Sequence, residues 1–236
     1  MKNNISVLLY HQISDRLPPD SNPDCFCLKS KFIEQLNFIK EHDISVISLE
    51  DAELKLNNPL NKPHHKSVVL TFDDADIGFY DIVMPILSDY GYTANLFVPS
   101  AFVGKKSEWS VHIGSHAPIM DKNQIREAYD QRIHIGSHSH SHSKMNKISP
   151  NNLYKEINTS KILLEDIISD AVNEFSYPHG VYNNDVINLL RSAGYKRAVT
   201  CNAEIYRNPR DNFEIPRNYI TSEDSIIDFR AILLRE

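Results

Sequence analysis

Cysteine, basic charge and long apolar runs are all scarce in this sequence of 236 residues. An odd total of three cysteines does not predict a disulfide framework, so we expect free thiols in a reducing compartment. A net charge of −6 argues against a general nucleic-acid binder, which needs a basic stripe on its surface. No apolar run approaches the roughly 18 residues that indicate a membrane span, so we expect no stable membrane insertion.

The first residues also lack the pattern of a secretory signal peptide. Residues 1–11 contain one lysine and a very short apolar core, and no small-residue cleavage site follows. We interpret this stretch as a first β-strand and, if Met1 is the native start, expect a cytoplasmic location. No linker interrupts the chain, so we expect one domain over residues 1–236, large enough to bury a core.

Short apolar runs alternate with stretches of helical period along the whole chain. Predicted strands cover 5–10, 44–47, 68–72, 94–98, 132–136, 173–176 and 197–200, and predicted helices cover 32–39, a short stretch after Ser48, 79–90, 151–169, 183–193 and 222–234. Ser30 is the expected N-cap of the first helix. Such alternation predicts an α/β fold of parallel units. Their number favours a (β/α) barrel, complete or distorted, with an open doubly wound sheet as the alternative; either places functional groups at the carboxyl ends of strands.

Two adjacent carboxylates follow the apolar strand at 68–72. A lone aspartate at such a place is usually a helix cap or a turn residue. Asp73 and Asp74 together would put two charges close to the core, and such charges need a partner. A bound metal ion would provide one.

The stretch 133–145, IHIGSHSHSHSKM, contains four histidines, which are His134, His138, His140 and His142. Histidines three to five residues apart commonly bind one metal ion, and His138 and His142 fit this spacing. The pairs His134/His138 and His112/His116 fit it as well, so spacing alone leaves the choice open. His140 would join them only if the chain stays extended, because alternate residues of a strand share one face.

An aspartate and two histidines from two strand ends would form a site with one oxygen and two nitrogen ligands and open positions. Open positions distinguish a catalytic metal from a structural one. The other aspartate is then a candidate general base for a water molecule. This combination predicts metal-assisted hydrolysis.

Five segments resemble motifs of the polysaccharide deacetylase family, the NodB-homology domain. They are LLYH at 8–11, LTFDD at 70–74, GSHSHSH at 136–142, FSYPHG at 175–180 and IPR at 215–217. The resemblance implies a distorted (β/α) barrel that removes acyl groups, mostly acetyl, from sugars with a divalent metal ion. Zn²⁺ is the expected ion, with Co²⁺, Ni²⁺ and Mn²⁺ as alternatives.

The resemblance also implies roles for individual residues. Asp73 matches the catalytic base, and the metal ligands match Asp74, His138 and His142. His179 occupies the position whose backbone N–H helps to hold the developing oxyanion, a role that does not depend on the side chain.

The sequence departs from the family pattern at several positions. Ala75 stands where most members have glycine after TFDD. Ser176 stands where many have an arginine that pairs with the base, and Arg217 is the predicted substitute, with a surface salt bridge as the alternative. The late L-x-H motif that supplies a general acid is missing. His11 is the predicted replacement, and His179 is the second candidate.

The remaining histidines and aromatic residues have weaker assignments. We expect His140 to be exposed or to support a ligand, and His134 to serve in packing or support. The candidate substrate-binding residues are Trp109, Tyr177, Pro178 and Tyr182. Aromatic residues in loops stack on sugar rings, and core packing is the alternative for Trp109.

The predicted function is a metal-dependent carbohydrate deacetylase, a hydrolase of linear amide C–N bonds, that acts on an N-acetylated sugar or glycan precursor. A cytoplasmic location would favour a soluble or carrier-linked precursor over a polymer. Two alternatives are a non-catalytic carbohydrate-binding relative and a deformylase or amidase that cuts another C–N bond. A third is that the histidine run stores metal, which predicts several weakly bound ions.

Overall fold

The fold was obtained as a computed structural model, which describes residues 4–17, 22–58, 66–109, 117–207 and 211–235. In chain order, the strands are β1 (Ile5–Tyr10), β2 (Gln12–Ser14), β3 (Phe26–Leu28), β4 (Ser45–Val46), β5 (Ser67–Phe72), β6 (Asn95–Val98), β7 (His134–Ser137), β8 (Glu174–Ser176), β9 (Arg197–Val199) and β10 (Asn218–Tyr219). The helices are α1 (Lys29–Glu41), α2 (Leu49–Asn57), α3 (Met84–Tyr90), α4 (Lys122–Asp130), α5 (Pro150–Ile168), α6 (Asn184–Ser192) and α7 (Ile226–Leu234).

Eight strands form one parallel sheet in the order β10-β1-β5-β6-β7-β8-β9, and β4 also pairs with β5. Helices separate most of these strands along the chain, which is the pattern of β/α units. Between β9 and β10, the gap is bridged by single pairings, Val199 with Ile215 and Ile5 with Tyr206. The sheet is thus the distorted (β/α) barrel that the sequence predicts.

Side-chain alternation divides the buried residues into two groups. On β1 and β5, Val7 and Val69 point into the barrel, where they meet Phe97 and Ile215. Leu8 and Leu70 point outward to the helices and belong to the larger core cluster. Every residue of β5 is buried, as expected for a strand that is covered on both faces.

The barrel interior is packed closely enough to require a glycine on β7. A Cβ atom added at Gly136 would lie 2.5 Å from ring atoms of Phe97. This inward phenylalanine therefore explains the glycine that precedes the histidine-rich segment.

The sequence missed or misplaced several elements. The helix α4 was not predicted, because its short buried face contains only Ile125 and Ala128. Ser30 is not the N-cap of α1, which begins at Lys29 after Leu28. The parallel pair β2–β3 was also missed, and α7 begins at Ile226 rather than near 222. Within the described ranges, no helix is long and apolar enough to cross a membrane.

Candidate metal centre and active site

Parallel strands bring the distant motifs to one edge of the barrel. The register of β1 on β5 pairs Tyr10 with Phe72, so the next residues, His11 and Asp73, leave the sheet side by side. The backbone N–H of Asp73 donates to the Tyr10 carbonyl at 3.0 Å. His138 follows β7 directly at the same edge, because the carboxyl ends of parallel strands lie together.

Asp74, His138 and His142 form a buried cluster whose candidate ligand atoms all lie within 4.8 Å of one another. Oδ1 of Asp74 lies 3.4 Å from Nε2 of His142 and 3.7 Å from Nε2 of His138. This buried oxygen has no hydrogen-bond partner among the described residues, which is costly unless something else occupies its lone pairs. Two nitrogen ligands and one carboxylate oxygen suit a divalent ion such as Zn²⁺.

A hydrogen bond to the backbone fixes the ring orientation of His138. Its Nδ1 donates to the backbone carbonyl of Ser176 at 2.9 Å, which leaves the lone pair on Nε2 facing Asp74. Metal-binding histidines commonly make such a bond with the other ring nitrogen.

The cluster is assembled with unusual backbone conformations. Asp74, Ala75, Ser139 and His142 all have positive φ values, of 75°, 54°, 61° and 56°. For residues other than glycine this conformation costs of order 1 kcal/mol or more and recurs at functional sites. Ala75 therefore adopts the left-handed geometry for which a glycine at this position would be suited.

A buried carboxylate that the sequence analysis missed holds the turn between the two histidines. Glu156 of α5 accepts hydrogen bonds from the backbone N–H groups of His140 and Ser141 at 3.0 and 2.7 Å, and from the Ser141 hydroxyl at 2.5 Å. The His140 ring instead pairs with the Ser100 hydroxyl at 2.8 Å, and His140 is not one of the three clustered ligands. The only sequence signal for Glu156 is a charged residue beside Ile157 on the buried face of a helix.

Asp73 forms a bidentate ion pair with Arg217. Nη1 and Nη2 of Arg217 each lie 2.8 Å from one carboxylate oxygen, and the guanidinium is fully buried. Ser176 donates to Asp73 at 3.0 Å and accepts from Arg217 at 2.9 Å. Arg217 thus pairs with the predicted base, as the resemblance implies, and the alternative of a surface salt bridge is wrong.

The surroundings shift the pKa values of the two aspartates in opposite directions. Burial alone would raise the pKa of Asp73, but the adjacent Arg217 guanidinium holds that pKa well below its ordinary value. Burial raises the pKa of Asp74 to about 8, and the negative charge of Asp73 adds to this rise. Burial also lowers the pKa values of His138 and His142, which keeps their rings neutral as metal binding requires. Asp73 is therefore an ionised carboxylate beside a site that favours a cation.

Comparison with known sequences identifies the family. The sequence profile of the family named polysaccharide deacetylase matches residues 60–198, which is more than half of the chain. The chain belongs to the polysaccharide deacetylase family.

Several relatives of this polysaccharide deacetylase family member are known. The chain is 26% identical over 200 residues to the Bacillus subtilis protein YxkH, covering 83% of this chain and 64% of that protein. It is 26% identical over 198 residues to the poly-beta-1,6-N-acetyl-D-glucosamine N-deacetylase of Staphylococcus aureus, covering 77% of this chain and 66% of that enzyme. The chain therefore spans just under two-thirds of the length of these curated relatives.

Solved structures share the whole fold. The Streptococcus pyogenes deacetylase PplD, determined in complex with acetate, has a TM-score of 0.84 and 25% identity, and the match covers 99% of each chain. IcaB from Ammonifex degensii has a TM-score of 0.83 at 22% identity, covering 98% of this chain and 97% of that one. These likenesses confirm the fold class of this polysaccharide deacetylase family member.

Burial disfavours the charged form of both histidines that are predicted as general acid. The ring of His11 stacks on Tyr219 with centroids 5.3 Å apart, and burial lowers its pKa to about 4. A neutral imidazole at pH 7 is not a strong proton donor. His179, the second candidate, has a positive φ of 58°, lies 4.6 Å from the His142 ring between centroids, and also has a pKa lowered by burial. The roles of acid and oxyanion donor stay predictions.

The predicted substrate-binding residues of the FSYPHG segment and its neighbour Tyr182 differ in burial. Tyr177 is fully buried and donates to the Phe213 carbonyl at 2.9 Å, so it does not line an open pocket. Pro178 beside it is also buried, and its contact with substrate stays a prediction. Tyr182 stacks on Tyr177 and donates to Glu214. Its partly exposed side chain keeps substrate contact as a prediction.

Trp109 is partly buried and contacts the Asp74–His138–His142 cluster. Its Nε1 donates to Oδ2 of Asp74 at 3.3 Å, and its ring stacks on that of His142 with centroids 4.2 Å apart. His134 starts β7 at the other end of the barrel, beside Glu174, so it does not support the cluster. His112 and His116 lie outside the described residues.

Proposed function

We propose that this chain is a metal-dependent hydrolase that removes the N-acetyl group from a sugar residue of a glycan. One observation carries the proposal, which is that the ionised Asp73 lies beside the Asp74–His138–His142 cluster in one buried site. The names of relatives support it, since the matched Staphylococcus aureus enzyme is an N-deacetylase. The proposed ion is Zn²⁺, held by Asp74, His138 and His142.

Separate residues of the chain would bind the ion, accept the proton of water and stabilise the oxyanion. The ion, when bound, polarises the acyl carbonyl and lowers the pKa of water, which a base as weak as Asp73 requires. Arg217 and Ser176 hold the Asp73 carboxylate in position, so that it accepts the proton of the attacking water. The backbone N–H of His179 is the proposed donor to the oxyanion. Burial lowers the pKa of His11 to about 4, so the proposed proton for the leaving amine is the one that Asp73 has accepted from water.

The proposed substrate contains N-acetylglucosamine, either within a polymer or within a carrier-linked precursor. The named substrate of the Staphylococcus aureus relative is a β-1,6-linked polymer.

Acetate release tests the proposal directly. The Zn²⁺-loaded protein is incubated with β-1,6-linked and β-1,4-linked N-acetylglucosamine oligomers and with a nucleotide-linked N-acetylglucosamine, and Asp73→Asn serves as the control. Acetate release by the wild type but not by Asp73→Asn supports deacetylation. Glycan binding without acetate release would favour the non-catalytic relative, and formate release from N-formyl sugars would favour the deformylase.

A further inference from the structure

Trp109 is the only tryptophan in the chain, and it contacts two of the three proposed ligands at once. Its indole N–H donates to Oδ2 of Asp74, and its ring stacks on that of His142 at an interplanar angle of 23°. It comes from the segment that follows β6, so neither ligand-bearing segment supplies this contact.

The indole N–H distinguishes the two oxygens of Asp74. Oδ2 is occupied by Trp109, whereas Oδ1 has no hydrogen-bond partner among the described residues and faces both histidine nitrogens. A carboxylate that rotates about its Cβ–Cγ bond exchanges its oxygens. The exchanged arrangement is chemically identical, but at intermediate angles of rotation the indole bond is lost. The bond therefore favours the orientation in which one oxygen accepts from Trp109 and the other faces the site.

The indole is itself held against the segment that carries the ligands. Phe102 packs edge-on against Trp109 with centroids 4.8 Å apart. The neighbouring residue, Ala101, donates its backbone N–H to the carbonyl of His140 at 2.8 Å, between the two histidine ligands. The indole and the histidine turn are therefore connected through two adjacent residues.

We propose that Trp109 is a positioning residue of the metal centre, whose indole N–H orients Asp74 and whose ring packs over His142. The inference rests on the metal site of the proposed function, but not on the glycan that is bound. It assigns to Trp109 a role in metal affinity in place of sugar stacking. Removing a hydrogen bond to a metal ligand typically weakens binding by about 10- to 100-fold.

Two matched variants separate the hydrogen bond from packing. Trp109→Phe keeps an aromatic ring but loses the N–H, and we expect its Kd for Zn²⁺, measured against a competing chelator, to rise about tenfold. Phe102→Leu loosens the packing on the indole but keeps the N–H, and we expect a Kd within about twofold of the wild type. The Tm of each metal-free variant reports its loss of packing.

The single tryptophan supplies a second readout. We expect Zn²⁺ added to the metal-free wild type to change tryptophan emission, with saturation at one equivalent. An unchanged Kd in Trp109→Phe, or an equal rise in both variants that follows their loss of Tm, would overturn the proposal. If the wild type releases no acetate but the Kd rises only in Trp109→Phe, the proposed function fails and this inference stands. If the wild type releases acetate but the Kd of Trp109→Phe is unchanged, the proposed function stands and this inference fails.

Discussion

The guanidinium of Arg217 lies 2.8 Å from both oxygens of Asp73, although 144 residues separate them in the chain. It also donates from Nε to the Thr200 carbonyl at 2.8 Å and from Nη1 to the Thr71 hydroxyl at 3.2 Å. Arg217 is therefore fixed by several acceptors as well as by the carboxylate, and it ties the late IPR segment to the end of β5.

Loss of this arginine should destabilise the protein strongly. Arg217→Met leaves the Asp73 charge buried without a partner, which typically costs about 3–5 kcal/mol in the free energy of unfolding. Urea unfolding measures this cost. The double variant with Asp73→Asn should recover part of it, because the unpaired charge is then gone. Arg191→Met breaks a partly exposed pair with Asp211 and should cost less than about 1 kcal/mol; a similar cost for Arg217→Met would contradict the prediction.

Asp73→Asn should separate metal binding from catalysis. The amide keeps the shape of the side chain but accepts no proton, so we expect acetate release to fall by about a hundredfold or more. Zn²⁺ binding should persist, since Asp73 is not one of the three clustered ligands. His138→Ala should lose both properties. Full activity in Asp73→Asn would refute the proposed mechanism.

Zn²⁺ should stabilise the folded protein in proportion to its binding. An ion at 100 times its Kd adds about 2.7 kcal/mol to the free energy of unfolding when it binds only the folded state. Thermal or urea unfolding with and without a chelator measures this gain. One tight ion per chain, lost in Asp74→Ala, is the expected stoichiometry. Several weak ions that survive Asp74→Ala would instead support the metal-storage alternative.

Glu156→Gln should weaken metal binding without touching a ligand. The glutamine keeps one carbonyl acceptor but loses the charge that holds the N–H groups of His140 and Ser141. We expect the Kd for Zn²⁺ to rise about tenfold, as for other groups that orient metal ligands. Asp166→Asn, on the exposed side of the same helix, is the matched control. Equal Kd values in the two variants would show that the turn does not depend on Glu156.

Local sequence patterns predicted most regular elements to within one or two residues. The strand 5–10 and the long helix near 151–169 are examples, because side-chain periodicity and caps act over a few residues. Strand ends predicted that an aspartate and two histidines lie together, and the resemblance of TFDD and H-x-x-x-H to the family motifs assigned them to Asp74, His138 and His142. The location in the cell and the domain organisation over residues 1–236 stay predictions.

The tertiary structure decided the contacts between residues that are distant in the chain. Sequence patterns left Arg217 with two interpretations, and only the return of the chain beside β1 places it on Asp73. The same patterns favoured Tyr177 as a substrate contact, whereas packing against Phe175 puts it in the core. They also gave no sign that Trp109 reaches Asp74. The physical reason is that periodicity records which face of an element is buried, while the partner on that face is set by how the whole barrel closes.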